Sequence, residues 1–127
     1  MQGKHLYEYA VIRLVPRVER EEFFNVGIIL FSKRAKYIKA LYKVDEDKLN
    51  LFSSELDRES LFANLHVFDK ICSRTKEGGP IAALDIPERF RWLTAVRSAS
   101  IQTSRPHPGF SDDLDRTLEI LFRELVL

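Results

Sequence analysis

The run FNVGIILF at residues 24–31 constrains the fold more than any other part of the sequence. It is nearly continuous in apolar and β-branched residues, which is typical of a central strand that is covered on both faces. Gly27 inside the run predicts a bulge or a close approach of another backbone. The chain is therefore expected to place this strand inside a sheet that is buried on both sides.

Two further strands are predicted beside this run. Residues 6–15 are rich in Tyr, Val, Ile and Leu, and they end at Pro16, which lacks the backbone donor that a central strand needs. Residues 37–44 alternate between an apolar face, Ile38, Ala40, Tyr42 and Val44, and a basic face, Lys39 and Lys43. The links are short, whereas parallel crossovers need about a dozen residues, so we predict an antiparallel meander.

Two helices are predicted after Asp45, because the apolar residues then recur at helical spacing. Their apolar positions are Leu49, Phe52, Leu56, Leu61, Leu65, Phe68 and Cys72. Asp57 is suited to cap the second helix, and Gly78 and Gly79 are suited to end it. Residues 87–92 predict a third, short helix with proline at an early position.

The last third of the chain predicts a polar strand and a final helix. SASIQTS at residues 98–104 reads as the strand, and RPHPG at 105–109 as irregular, because prolines and glycine disrupt regular structure. Ser111 begins a helix that is expected to pack on the sheet through Leu114, Leu118, Leu121, Phe122 and Leu125. We predict one α+β domain over residues 1–127: an antiparallel sheet of about four strands, the three-stranded N-terminal meander plus a later strand, packed against three or four helices.

Charge and cysteine content exclude several classes of function. Twenty Lys and Arg against nineteen Asp and Glu give a formal net charge of +1, so nucleic-acid binding is not expected. Cys72 is the only cysteine, which excludes an intramolecular disulfide and fits a reducing compartment. The first residues do not resemble a secretion signal, and no run approaches the roughly 20 apolar residues of a membrane helix. We expect a soluble, cytoplasmic protein.

Motifs for metal, nucleotide and nucleophilic chemistry are absent from the sequence. His5, His66 and His107 stand apart without an HExxH motif, so no metal site is predicted. GxGxxG, GxxxxGK[ST] and GxSxG loops are also missing, so we predict no cofactor and name no catalytic residue. Whether the protein is an enzyme stays open.

Residues 97–107 carry a series of hydrogen-bonding groups that we call the polar strip: Arg97, Ser98, Ser100, Gln102, Ser104, Arg105 and His107. Such groups are suited to hold a phosphate, a carboxylate or the backbone of a partner. A solvated edge strand and loop is the alternative. Alternation places Ser98, Ser100, Gln102 and Ser104 on one face, which is expected to meet water, a ligand or another protein.

Arg13 and Trp92 are also candidate binding residues. Alternation places Arg13 on an apolar face of the first strand, where a ligand or a salt bridge to an acid such as Glu19 or Glu22 is expected to meet it. Trp92 is suited to core packing, to stacking or to an interface, and core packing is favoured.

Three stretches of the chain carry a family resemblance: YAVIRLVPRVEREEFFNVGIILF, then GGPI followed by ERFRWLTAVRSASIQTS, then HPGFSDD. On these stretches the chain resembles the bacterial domain-of-unknown-function family 3037. The resemblance marks as motif positions Pro16, Arg17, Glu19, Glu22, Asn25, Gly27, Arg91, Trp92, Arg97, Ser98, Gln102, Ser104, His107, Gly109 and Asp112. It implies no activity, but it does imply genes beside those of HipA-like kinases, and hence a partner or regulator of such a kinase.

Two functions from different classes follow. The first is a binding or regulatory module for a protein partner such as a HipA-like kinase, which an exposed apolar patch around Trp92 or Phe110 would favour. The second is an enzyme or binder of a phosphorylated or anionic small molecule or nucleotide, in which arginine and histidine side chains meet at one pocket. The candidate binding residues are Arg13, Arg17, Glu19, Glu22, Asn25, Trp92, Arg97, Ser98, Gln102, Ser104 and His107.

Overall fold

A computed structural model describes residues 4–15, 22–52, 58–73, 78–95 and 100–127. The elements in these ranges are β1 (His5–Leu14), β2 (Phe24–Ser32), β3 (Tyr37–Tyr42), α1 (Glu46–Phe52), α2 (Arg58–Cys72), α3 (Gly79–Ala82), α4 (Ile86–Leu93), β4 (Ile101–Thr103), β5 (His107–Ser111) and α5 (Leu114–Leu125). The strands form one antiparallel sheet in the order β3-β2-β1-β4, with β5 also pairing with β1. The α+β class and the N-terminal meander are confirmed, with five strands rather than about four and five helices rather than three or four.

Strand β2 is covered on both faces, as its apolar run predicts. Ile28 and Leu30 pack against Leu114 and Leu118 of α5. Ile29 belongs to a larger core on the other face, to which α1, α2 and α4 contribute. Each buried side chain of this size contributes roughly 1.5–3 kcal/mol to folding. The prediction that the last helix packs on the sheet is confirmed.

Gly27 lies at a bulge between β1 and β2. The pairing register shifts there, and Val26 is the extra residue on β2. A Cβ atom on Gly27 would stand 2.5 Å from the carbonyl oxygen of Leu41, which is too close for any side chain. The predicted bulge and the predicted close approach are both confirmed. The bulge also sets Asn25 directly opposite Arg13.

Helix α4 is attached to the end of α2 by a buried arginine. Asp85 caps α4 by accepting a hydrogen bond from the backbone N–H of Glu88 at 3.0 Å. Arg89 is only 6% exposed, and its Nη1 donates to the carbonyl oxygens of Ile71 at 2.9 Å and Cys72 at 3.2 Å. A cationic donor at the C-terminal end of a helix satisfies free carbonyls and complements the helix dipole.

The prediction that residues 105–109 are irregular is wrong, since β5 runs through most of them. The backbone N–H of Ser104 donates to the carbonyl of Val11, so the odd-numbered residues of β1 direct their backbone groups toward β4 and β5. Pro108 faces Glu8, an even-numbered residue, and therefore has its nitrogen on the outer edge of the sheet. A proline at such an edge position removes no hydrogen bond from the ladder.

Smaller differences concern the ends of elements. Helix α3 was not predicted, because a single turn that begins Gly-Pro has no apolar period. Helix α5 begins after Asp113, whose side chain accepts from a backbone N–H of the first turn, whereas the hydroxyl of Ser111 contacts that of Thr117 at 2.5 Å. The cap expected from Asp57 lies outside the described residues. No helix in the described ranges combines the length and apolar character needed to cross a membrane.

Candidate functional site

The sheet edge formed by β1, β4 and β5 carries most of the candidate residues that the structure describes. The helices of the described chain pack mainly on β2 and β3 and leave β5 largely uncovered. The β1–β5 pair is therefore accessible from both sides. Polar groups lie on the side of α5, and apolar side chains lie on the side of α4.

Arg13, Asn25 and Gln102 form a row across three strands on the α5 side. Arg13 pairs with Gln102 of β4 and with Asn25 of β2. The amide of Asn25 donates to the carbonyl of Leu125 at 2.9 Å, near the end of α5. The guanidinium carbon of Arg13 lies 4.2 Å from the ring centroid of Phe23, a cation–π contact. Its buried Nε has no hydrogen-bond partner in the described part of the chain.

His107 lies on the same side of the sheet, further along β1. It pairs with Tyr9, and the two ring centroids are 5.3 Å apart. Tyr9 precedes Arg13 by four residues, which corresponds to about 13 Å along the strand. The structure thus brings Arg13, Asn25 and Gln102 together and places His107 on the same side at a distance.

Ser104 serves the fold. It is 6% exposed, and its hydroxyl accepts from the backbone N–H of Val11 at 2.8 Å and donates to the carbonyl of Arg105 at 3.0 Å. Ser104 lies between β4 and β5, where it replaces a ladder hydrogen bond at the interruption. The expectation that every polar residue of this stretch faces water, a ligand or a partner is therefore wrong for Ser104.

Trp92 packs on the core from α4 and is half-buried. It borders a small cleft of about 210 Å³ together with Phe68, Leu93 and Ile101. Gln102 lines the same cleft while also pairing with Arg13. Core packing thus accounts for much of the tryptophan surface, as the sequence favours.

Four candidate residues, Arg17, Glu19, Arg97 and Ser98, lie outside the described residues, and their roles stay predictions. Glu22 is described and exposed just ahead of β2. Of the basic groups expected to meet at one pocket, only Arg13 and His107 can be compared, and they are separated along β1.

The α4 side of the β1–β5 pair holds a cleft of about 1010 Å³, which we call the apolar cleft. Leu6 and Phe110 face each other across the two strands and remain 53% and 68% exposed. Phe31 and Pro108 also line the cleft. Phe110 was expected from the sequence as a candidate patch residue, whereas Leu6 was missed, although strand alternation places Leu6 on the same face as buried residues of β1.

Leu6, Phe31, Pro108 and Phe110 form the apolar floor of the cleft, and charged residues surround it. The β2–β3 turn contributes Lys33 and Arg34, both exposed, and α4 contributes Glu88 and Arg91. Glu8 is half-buried beside the floor. The cleft therefore combines exposed apolar side chains with charged side chains at its rim, an arrangement found at protein interfaces.

Within the described residues, the other titratable groups do not form a reactive centre. The Tyr42 hydroxyl donates to Asp69 at 2.6 Å and contacts Nδ1 of His66 at 2.9 Å, which ties β3 to α2. Burial and this carboxylate raise the pKa of Tyr42 well above its ordinary value, so the phenol keeps its proton. Burial raises the pKa of Cys72 to about 12, which leaves an unreactive thiol at neutral pH. In the described ranges, no His, Cys, Asp and Glu side chains form a group of three that could hold a metal ion.

Comparison with known proteins matches the chain to a family. The family model described as "Protein of unknown function (DUF3037)" covers residues 9–126, which include every candidate residue named from the sequence. No curated protein and no solved structure matches the chain. The function therefore has to be argued from the geometry of the described residues.

Proposed function

The chain belongs to the protein family of unknown function DUF3037, and from that premise we propose that it is a protein-binding or regulatory module whose recognition surface is the apolar cleft. The observation that carries this proposal is the exposed cross-strand pair of Leu6 and Phe110. Binding is stabilised by roughly 25 cal/mol for each Å² of apolar surface that the partner removes from water. Neighbouring apolar side chains that stay exposed mark interaction sites when they form a large contiguous patch.

The composition of the cleft supports a protein as the partner. Phe110 offers a large aromatic surface and Arg91 a planar cation, and both residue types are enriched at protein interfaces. The floor is apolar and the rim is charged, which matches the usual order of an interface. A HipA-like kinase, which the family resemblance implies, is the first partner to test.

Recognition at this edge uses side chains rather than an added strand. Pro108 lies in the edge strand with its nitrogen outward, where a pairing strand would need a donor. Proline at this position is a common way in which edge strands avoid unwanted pairing. The partner is therefore expected to enter the apolar cleft instead of extending the sheet beyond β5.

Affinity capture with paired variants tests this function. Leu6→Ser with Phe110→Ser removes the apolar floor at two exposed positions, and Ile120→Ser with Leu127→Ser is the matched control on α5 and beyond. We expect wild type and control to retain the same partner, and the floor variant to lose it while unfolding at the same denaturant concentration, because surface changes cost within about 0.5 kcal/mol. Equal retention by all three proteins would contradict the proposal.

A second candidate function, the binding of an anionic small molecule or nucleotide, is favoured by Arg13. Its guanidinium lies against Phe23, and its buried Nε is left without a partner in the described chain, beside Asn25. An anion there would satisfy a charged donor that otherwise costs free energy. The test is the melting temperature of wild type, Arg13→Gln and the exposed control Arg105→Gln with inorganic phosphate, ATP and GTP. This function is supported if one of these anions raises the melting temperature of wild type and of Arg105→Gln but not of Arg13→Gln. It is ruled out if none of them raises the melting temperature of wild type.

A further inference from the structure

We propose that the apolar cleft binds an acidic segment of the partner protein, in which one or two apolar anchor side chains are flanked by carboxylates. This inference rests on the proposed function and adds the chemistry of the partner. The occupant is a peptide segment whose apolar side chains cover the Leu6–Phe110 pair. Its carboxylates meet the cations around the cleft.

The apolar floor is suited to receive an apolar side chain of the partner, because it is concave and its own side chains are already held in place. Leu6 and Phe110 pair across β1 and β5, and the ring of Phe31 borders the same cleft. These side chains are held on paired strands, so little freedom remains to be lost when an anchor binds. An inserted leucine or phenylalanine would bury surface on both sides of the contact.

The rim explains why the flanks of the segment are acidic. Lys33 and Arg34 lie in the β2–β3 turn and are exposed, and no carboxylate of the described residues pairs with either of them. Arg91 lines the cleft from α4, and Lys4 does so from the start of β1. Cations thus border the apolar floor from three different elements. Their charges favour a carboxylate-bearing ligand by steering its encounter and fixing its orientation.

The carboxylates of the cleft are fewer and are placed differently. The side chain of Asp85 is engaged as the N-cap of α4. Glu88 lies in the first turn of that helix, where the positive end of the helix dipole stabilises its charge. Glu8 lies on β1 between Phe31 and Pro108 and is half-buried. The four lining cations, Lys4, Lys33, Arg34 and Arg91, therefore outnumber the three lining carboxylates, Glu8, Asp85 and Glu88.

A concave floor favours a peptide over a membrane surface. Membrane-binding proteins insert apolar side chains that protrude, whereas Leu6 and Phe110 line a cleft. Binding to vesicles is accordingly an outcome that the test must separate from peptide binding.

The test uses three pools of synthetic peptides with a central Leu and Phe pair, flanked by Asp and Glu, by Ser and Gly, or by Lys and Arg. Fluorescence anisotropy measures their affinity for the full chain at about 0.05 and 0.5 M salt. Three variants accompany wild type: Lys33→Glu with Arg34→Glu, the floor variant Leu6→Ser with Phe110→Ser, and a charge-matched control. The control is Lys48→Glu with Arg116→Glu, in the first turns of α1 and α5, where a glutamate is tolerated.

We expect wild type and the control to bind the acidic pool about tenfold more tightly than the basic pool, with the difference shrinking at high salt. The turn variant should lose or invert this preference, and the floor variant should bind none of the pools. A binding signal that depends on the floor but not on flanking charge would overturn the inference and leave the proposed function standing. No binding of any pool, or floor-dependent binding to phosphatidylserine vesicles alone, would overturn both.

Discussion

Replacing Ser104 with alanine should destabilise the protein strongly, although the residue lies in a stretch that reads as a binding strip. The hydroxyl accepts from the buried N–H of Val11 at 2.8 Å and donates to the carbonyl of Arg105 at 3.0 Å. An unpaired buried N–H costs about 1–3 kcal/mol, and the donated hydrogen bond about 0.5–1.5 kcal/mol. We expect a total loss of about 1.5–4.5 kcal/mol. With an unfolding entropy of about 2.1 cal/mol/K per residue, the melting temperature of a 127-residue chain falls by roughly 6–17 °C.

Urea unfolding followed by circular dichroism measures this loss. Thr103→Val is the matched control, because the neighbouring hydroxyl makes one long contact, 3.4 Å to the carbonyl of Thr94. That variant should lose less than about 1 kcal/mol. A loss below about 0.5 kcal/mol for Ser104→Ala would refute the reasoning, since surface positions behave in that way. Ser104 would then return to the candidate binding residues.

Three other predictions concern the fold and its titratable groups. Arg89→Met should lower the free energy of unfolding in urea by about 2–4 kcal/mol, because two carbonyls at the end of α2 lose a charged donor. Arg91→Met should change it by no more than about 0.5 kcal/mol. Similar losses for both variants would contradict this role of Arg89. Burial and carboxylate partners raise the pKa of Tyr37 and Tyr42. The unfolded chain therefore loses these protons at a lower pH than the folded chain, and the free energy of unfolding should fall as the pH rises above about 10. Tyr→Phe at either position should make this fall less steep, and an unchanged slope would contradict the assignment. Burial raises the pKa of Cys72 to about 12, so iodoacetamide at neutral pH should label it only in denaturant, and rapid labelling of the folded protein would show that this thiol is accessible.

The packing of β2 between helices on both faces of the sheet could be predicted, because the sequence patterns that indicate it are local. The unbroken apolar run of β2 predicts burial on both faces, and Leu114 and Leu118 recur at the spacing that places α5 against it. The bulge and the close backbone approach at Gly27 could also be predicted. A glycine inside such an apolar run weakens the strand, so its presence indicates a bulge or a neighbouring backbone that requires it. Period and composition were sufficient in these elements.

Strand β5 could not be predicted, because the tolerance of proline in a strand depends on the pairing register. Pro108 fits only since it faces Glu8, whose backbone groups turn toward β2. That register is a tertiary property, and no local pattern reports it. The same limit explains why Leu6 was missed: alternation assigns it to a core face, but how far the helices extend over that face decides its exposure.

The candidate site was predictable in part for similar reasons. The position of Arg13 on an apolar face can be read from alternation alone. Its neighbours Asn25 and Gln102 follow from the bulge and from the pairing of β1 with β4, which the sequence does not specify. The role of Ser104 depends on one backbone N–H of a strand 93 residues away in the chain.

The most direct test of the central claim is site-specific photo-crosslinking in cells. A photoreactive phenylalanine analogue is placed at Phe110 in the apolar cleft, or at Ile120 on α5 as a control of exposed apolar character. We expect position 110 to capture one specific protein through an acidic segment, and Lys33→Glu with Arg34→Glu to reduce the yield. Equal capture from both positions, or none from position 110 while position 120 captures a partner, would contradict it.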